Sequence, residues 1–514
     1  MSGLTYCRWA FLLACLVFRL IAIDSDPPPL LSWSTGLYTD EGFYTLDARH
    51  VVLFGTLAPG TFHDRLLSPL LSMLQEGVFT VFGVGILQAR LLSVGFGMLT
   101  LVVFWVGLRR AYGVKVADAG AFFLGLAPPF LLYNRTALQE TSTVFWLVLA
   151  FTLWTFATTQ YERRKALFYA LAGSSVGAAV IFKSLAGLAI PVLFAGVEKK
   201  AHKALLEAGV DGRAGVDGRA GVDGRAGVDG RAGASPAPTG FCLASQNWGA
   251  GAFLLVLALY VGVWYIPHHA ELSRMTTYYR VHQIQPHSWV GLWLNIRRGL
   301  VKGELGVVPY LLATLPVPCL LAGWGVLRRR EWSGADRFLA YWLAGGLLFC
   351  LLSSYAPSRY YVLFLPALMG LAARQLGVLK RPGQIAAVCV FLVTSMLWLG
   401  AAWLERSFAQ REARQELTRT LPIGSVVIGD FAPTLCLGTP FASTTVQPGL
   451  ANDDHPVERL KATHVLVVRN AANWQTWWRG HYPDVMQPSH KLTSFEFGGP
   501  RHFIVDLYTV KALK

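Results

Sequence analysis

Long apolar runs alternate with short polar joints through most of this chain. A helix crossing the hydrocarbon of a bilayer takes roughly 20 apolar residues, and by that measure about eleven runs qualify. They lie near 6–23, 87–108, 116–133, 142–159, 166–182, 184–197, 249–266, 307–327, 337–353, 360–376 and 384–404. The two runs flanking Lys183 are short, which predicts tilted or partly re-entrant helices. The first run follows Arg8 as a signal peptide would, but no small-residue cleavage site comes after it. Asp24-Ser25-Asp26-Pro27-Pro28-Pro29 reads instead as a rigid exit from a retained helix. After Leu404 the pattern changes. Residues 405–421 have helical periodicity and high charge, while Ser425–Ile428, Val465–Val468 and Phe503–Leu507 read as short buried strands between Pro, Gly and Asn-Asp punctuation. The expected fold is therefore an all-α polytopic membrane body, residues 1–404, followed by a small α/β domain over 405–514.

Composition agrees. Of 514 residues, 54% are hydrophobic and 15% charged, with a mean hydropathy of +0.43; soluble domains carry about a quarter charged residues. The 17 Trp and 18 Tyr suit the aromatic belts of a membrane interface. A net charge of +15 could point to nucleic acid, but the basic residues sit in short loops between apolar runs. Arg109, Arg110 and Lys115 share one loop; Arg163, Arg164 and Lys165 another; Lys199, Lys200 and Lys203 a third; Arg328, Arg329 and Arg330 a fourth; Lys380 and Arg381 a fifth. These are alternate loops, so the positive-inside rule puts them in the cytoplasm, with the N-terminus inside and the 405–514 domain outside. Nucleic acid is not an expected partner; membrane lipids are. The loop 267–306 breaks the charge rule, and its Trp289, Trp293, Tyr278 and Tyr279 predict a segment lying on the outer membrane surface. Within 198–248, Gly209 to Ala232 repeats Gly-Val-Asp-Gly-Arg-Ala four times. It has no aliphatic side chain larger than Val and alternates Asp with Arg, so it cannot bury a core, and a disordered cytoplasmic spacer is expected. The seven Cys are scattered without a Cys-x-x-Cys pair, giving neither a metal knuckle nor a disulfide framework.

Candidate chemistry gathers on the outer side. The loop 24–86 contains Asp40 and Glu41 between Tyr38 and Phe43-Tyr44 in what reads as an extended segment, then His63-Asp64-Arg65. Two adjacent carboxylates flanked by aromatics could be a base, metal ligands or a solvated turn. Glu140 opens a span after the short turn Asn134–Gln139, where it could equally cap the helix through the dipole. Lys183 interrupts an apolar stretch; an intramembrane cation marks a functional site by default, with snorkelling to the interface as its plain alternative. Arg359 and Tyr360 begin the tenth run on the same side. Moving a sugar from a lipid phosphate calls for such a set. The departing phosphate needs placed cations, and the acceptor needs a base on the opposite face of the anomeric carbon.

In order and spacing these residues resemble the GT-C-fold polyprenyl-phosphate-sugar transferases, the group that includes protein O-mannosyltransferases and the lipid A aminoarabinose transferase. The resemblance is carried by Asp40-Glu41-Gly42-Phe43-Tyr44 with Ala48-Arg49 behind it, by His63-Asp64-Arg65 and Pro69, and by Phe82-Gly83 and Ala89–Ser93. It continues through Tyr133–Glu140, Lys183 after Gly177–Phe182, and Arg359-Tyr360 before Leu363–Pro366. It covers residues 6–200 well and 340–400 loosely, with Glu at a second acidic position where Asp is commoner. It implies that Asp40 is the catalytic acidic residue, with Glu41 beside it and Glu140 as the second acidic position. Arg65, Lys183 and Arg359 would face the donor phosphate, with His63 and Tyr360 alongside as substrate-binding residues. The implied activity is transfer of a sugar from a polyprenyl-phosphate donor, with inversion, at the outer face of a bacterial inner or other cell membrane. The acceptor, lipid, glycan or protein, stays open, and so does participation of a divalent metal. Two other readings compete: a polysaccharide polymerase or ligase, and a membrane transporter, though the charged residues sit at span ends rather than at the midplane.

Overall fold

The computed structural model describes residues 3–60, 62–158, 162–187, 240–282, 288–301, 306–328, 332–353, 355–448, 451–469, 472–497 and 502–510. The Gly-Val-Asp-Gly-Arg-Ala repeats and most of the expected run 184–197 lie outside the described residues.

The first part is helical: α1 (Gly3–Leu20), α2 (Gly36–Phe54), α3 (Asp64–Leu67), α4 (Pro69–Phe82), α5 (Ile86–Tyr112), α6 (Val114–Leu126), α7 (Pro128–Tyr133), α8 (Gln139–Ala157) and α9 (Glu162–Phe182). After the undescribed stretch come α10 (Gly240–Tyr260), α11 (His269–His282), α12 (Trp289–Val301), α13 (Val307–Thr314), α14 (Pro316–Leu327), α15 (Gly334–Leu352), α16 (Leu365–Leu376) and α17 (Arg381–Leu404). The breaks have local causes. Gly113, at φ 87, turns the chain between α5 and α6. Prolines open α4, α7, α14, α16 and α17 within the first turn, where a missing N–H costs nothing. Ser333 and Asp336 form a reciprocal capping box at the start of α15.

The protein is a multi-pass membrane protein. Among the described residues, six helices are long and apolar enough to cross a bilayer, or seven if the α13–α14 pair, bent by 114° at Pro316, is one span. The roughly eleven expected spans are not all single long helices among the described residues. Pro128-Pro129 divides 116–133 into α6 and α7, and 360–376 begins as a 3-10 helix over Ser358–Phe364, leaving 12 residues of α-helix. Pro ring geometry forbids the continuous helix that hydropathy alone suggests. The body packs around Leu101, Phe104 and Leu108 of α5, Phe123 of α6, Phe130 of α7 and Phe151 of α8, all fully buried. α12 lies with Trp289, Val290 and Trp293 exposed, as an interfacial segment would.

From Ala409 a mixed α/β domain follows: α18 (Ala409–Thr420), β1 (Val426–Gly429), α19 (Ala432–Cys436), β2 (Ala442–Thr444), α20 (Pro456–Arg459), β3 (His464–Val468), α21 (Ala472–His481), β4 (Lys491–Phe497) and β5 (Phe503–Thr509). The five-stranded sheet has the order β2-β1-β3-β5-β4. β1 runs parallel to β2 and β3, and β5 antiparallel to β3 and β4. The three strands expected from sequence are β1, β3 and β5; β2 and β4 were not visible there, β4 because only Phe495 and Phe497 of its seven residues are buried.

The segment 36–54, expected as an extended loop, is the helix α2, and it is held from two sides. Toward the membrane body, Glu41 is fully buried and takes Arg90 Nε and Nη2 at 2.7 and 2.5 Å and the Ala137 N–H at 2.8 Å. Toward the α/β domain, Thr434 Oγ1 donates to the Thr39 carbonyl at 3.0 Å, and Arg49, also fully buried, donates to Ser443 Oγ at 3.2 Å and the Thr439 carbonyl at 3.0 Å. Gly42 is where the two meet: any Cβ there would collide with the Thr434 backbone.

Candidate active site

Two residues before Gly42, α2 carries Asp40 into a cleft of about 380 Å³ between the membrane body and the α/β domain. Its walls include Trp33, Tyr44, Tyr355, Arg359 and Tyr360 on the membrane side and Asp430, Thr445, Gln447 and Trp474 on the other. A chain of alternating charge begins at Asp40. Arg359 Nη1 lies 2.8 Å from Asp40 Oδ2, Arg359 Nε lies 3.3 Å from Glu140 Oε1, and Lys183 Nζ donates to that same oxygen at 2.7 Å. Sequence-distant residues from α2, the start of α8, the end of α9 and the 3-10 turn before α16 thus converge. Tyr360 presents its ring to both cations, at 4.6 Å from Lys183 Nζ and 5.2 Å from the Arg359 guanidinium, so a quadrupole face adds to the field that keeps them charged.

Asp40 keeps 18% of its side chain exposed whereas Glu140 keeps 1%. Burial pushes the Asp40 carboxyl above its ordinary range, against the pull of the Arg359 and Lys183 charges. Glu140 bridges two cations and has one oxygen, Oε2, without a hydrogen-bond partner. It fixes where the cations sit. Each carboxylate is already paired with a cation, and among the described residues no three His, Cys, Asp or Glu side chains converge.

Three residues expected at this site are elsewhere. Glu41 points one helical step away from Asp40, into the Arg90 clamp. His63 Nδ1 is 3.0 Å from Asp47 Oδ1, whose other oxygen accepts the Arg65 N–H at 3.0 Å. The Arg65 guanidinium pairs with Glu76 at 2.5 Å rather than with the charged chain. Asp47 therefore ties Ala58, His63 and Arg65 to α2, a role that nothing in its local sequence signals.

Residues that sequence reasoning missed come chiefly from the α/β domain. Asp430 stands at the carboxyl end of β1, whose neighbours are both parallel to it. Ligands of such sheets gather at the carboxyl ends of strands, and that rule applied to Ser425–Ile428 would have found Asp430. Gln447 donates to Asp430 Oδ1, while Asp430 Oδ2, Thr445 Oγ1 and Trp33 Nε1 are buried at the cleft without partners. Orphaned donors and acceptors lining one cleft are what a polyhydroxylated ligand would satisfy. Burial raises the Asp430 carboxyl to about 7, with the Asp40 charge acting in the same direction.

A helical membrane body, an α/β domain on one face and a charged chain between them define a protein of GT-C-like fold. Residues 67–208 match the family model described as dolichyl-phosphate-mannose-protein mannosyltransferase, and this stretch, which contains Glu140 and Lys183, is GT-C mannosyltransferase-like. The structure is similar over 98% of both chains to ArnT from Cupriavidus metallidurans in the apo state, with TM-score 0.57 and 14% identity. It is similar, with TM-score 0.52 and 12% identity over 98% of both chains, to the same protein bound to undecaprenyl phosphate. It also resembles the archaeal oligosaccharyltransferase AglB from Archaeoglobus fulgidus in complex with an inhibitory peptide and a dolichol-phosphate. There the TM-score is 0.53 at 13% identity, covering 91% of this chain and 70% of that one. No curated protein matches the sequence.

Proposed function

We propose that this protein moves a sugar from a polyprenyl-phosphate donor to an acceptor at the cleft beneath the α/β domain, with inversion at the anomeric carbon. The observation that carries this reading is the chain Asp40–Arg359–Glu140–Lys183, one carboxylate in the cleft and two cations behind it. The family model over 67–208 supports the donor class, as do the complexes of similar fold with undecaprenyl phosphate and a dolichol-phosphate. The alternation of basic loops supports an extracytoplasmic position for the α/β domain and the cleft.

The chemistry follows from the charges. A donor phosphate entering the cleft offers Arg359 a second anionic partner, and Lys183 lies within the same cluster. As Arg359 turns to the phosphate, the Asp40 carboxylate loses its ion pair and becomes a base. The acceptor O–H or N–H gives its proton to Asp40, the acceptor atom bonds to the anomeric carbon from the far side, and the bond from that carbon to the phosphate oxygen breaks. The lipid phosphate leaves with the electron pair and an added negative charge, which Lys183 and Arg359 are already placed to hold. Glu140 is a positioning residue for the two cations, and Glu41 a positioning residue for α2.

The test is single-turnover transfer from a defined polyprenyl-phosphate sugar by purified protein. Asp40→Asn keeps shape and hydrogen bonding but accepts no proton, so its rate is expected to fall about 10²–10⁴-fold. A rate near that of the unmodified protein would remove Asp40 as the base.

A further inference from the structure

A second cavity, of about 360 Å³, shares no lining residue with the Asp40 cleft. It lies where the ends of α1, α7 and α17 meet, at the membrane face that bears the α/β domain. Its walls are apolar: Phe18, Ile21, Leu131, Met396, Leu399 and Trp403. Phe18, Ile21, Met396 and Trp403 remain 41–45% exposed, so the groove opens sideways toward the bilayer. Its head is cationic, with Arg90, Arg135 and Arg406 all at the lining.

The nearby acids are already engaged. Arg90 is committed to Glu41, Asp24 to Arg411 at 2.7 Å, and Asp26 to Ser407 and the Gln410 N–H. Arg135 has only the Ile21 and Ala22 carbonyls, both at 2.7 Å, and Arg406 only the rings of Trp403 and Phe408, at 3.9 and 5.6 Å, as partners among the described residues. Two guanidiniums with no ion-paired carboxylate among the described residues, beside a third and at the interface end of a largely apolar slot whose one lining acid, Asp26, is held by Ser407 and Gln410, form the pattern a phosphate with a hydrocarbon tail complements.

We infer that this groove binds an anionic glycerophospholipid of the surrounding leaflet, its phosphate between Arg135 and Arg406 and one acyl chain along α1 and α17. Arg90 has one edge at the groove and another on Glu41, so the bound lipid sits one side chain away from the helix that carries Asp40. The inference does not depend on the proposed transfer reaction, because its readout is lipid retention and not turnover.

The experiment reconstitutes the full chain in vesicles of equal phosphatidylglycerol and phosphatidylcholine, extracts it in mild detergent, and counts retained lipid by native mass spectrometry. The unmodified protein is expected to keep phosphatidylglycerol in preference to phosphatidylcholine. The double variant Arg135→Gln/Arg406→Gln is expected to lose that retention about tenfold or more. Because Arg135 also ties down the Ile21 and Ala22 carbonyls, Leu399→Trp fills the groove from the opposite wall with both arginines intact, and it is expected to lose retention as well. Added polyprenyl phosphate is expected not to displace the lipid. Equal retention of both phospholipids, retention unchanged in both variants, or displacement by polyprenyl phosphate would each overturn the assignment.

Discussion

Asp430→Asn is the substitution for which the structure sets both sign and size. The side chain is 4% exposed, takes one hydrogen bond from Gln447 and leaves Oδ2 bare. Burial lifts its carboxyl from 3.8 to about 7. The folded protein thus keeps a proton that the unfolded chain gives up, and the stability this confers is complete below about pH 4. Across the window from about pH 4 to 7 it is lost at ~1.4 kcal/mol per pH unit, and above about 7 the loss levels off. The rise converts to about 4 kcal/mol in total, an order-of-magnitude figure for a nearly buried group. Asparagine accepts the same Gln447 bond and does not titrate. Its thermal midpoint, followed at a fixed scan rate in nanodiscs between pH 5 and 8, is expected to approach that of the unmodified protein at acid pH and to exceed it at pH 8. A gap between the two proteins that stays constant with pH would refute the assignment of that proton to Asp430.

Other outcomes follow from the same contacts. Glu41→Gln leaves Arg90 buried without its countercharge, so a stability loss of about 3–5 kcal/mol is expected, read as a lowered midpoint or poor recovery of folded protein; Asp40→Asn, in a partly open cleft, is expected to keep the midpoint. Lys183→Ala and Arg359→Ala are each expected to weaken use of the lipid donor at least tenfold, on the order of one charge-assisted contact, with Lys183→Arg partly active; unchanged donor kinetics in stably inserted protein would remove them from the site. Gly42→Ala is expected to push α2 off α19 and to lower activity through the rate more than through donor affinity, measured as separate kcat and KM values.

Much of the charged chain was legible because Asp40, Glu140, Lys183 and Arg359 each stand out against apolar or aromatic neighbours, where an unpaired charge is costly. Their partnerships were not legible. Asp40 and Glu41 are adjacent in sequence, but about 100° of helical rotation sends one to the cleft and the other to Arg90. An extended reading of 36–54 could not show that division of labour. Arg65 was expected to face the donor phosphate, and its pairing with Glu76, about two turns into α4, could not be read from the sequence. Asp430 and Gln447 belong to a domain whose sequence shows strands and turns but gives no sign that its strand ends face α2. The spans at 116–133 and 307–327 were located by hydropathy and divided by proline, a conformational effect that an average over a window removes.

The order of strands in the small sheet bears on how an active copy is made. β5, the latest in sequence of these five strands, sits between β3 and β4, so the sheet cannot close until residues 503–509 have been synthesised. α19, which grips α2 at Thr39 and Gly42, rests on that sheet. A nascent chain with every membrane helix already in place would still hold Asp40 on an unsupported segment. Support of the helix that carries Asp40 is thereby coupled to synthesis through residue 509, and copies stalled before it, though membrane-inserted, would lack that support.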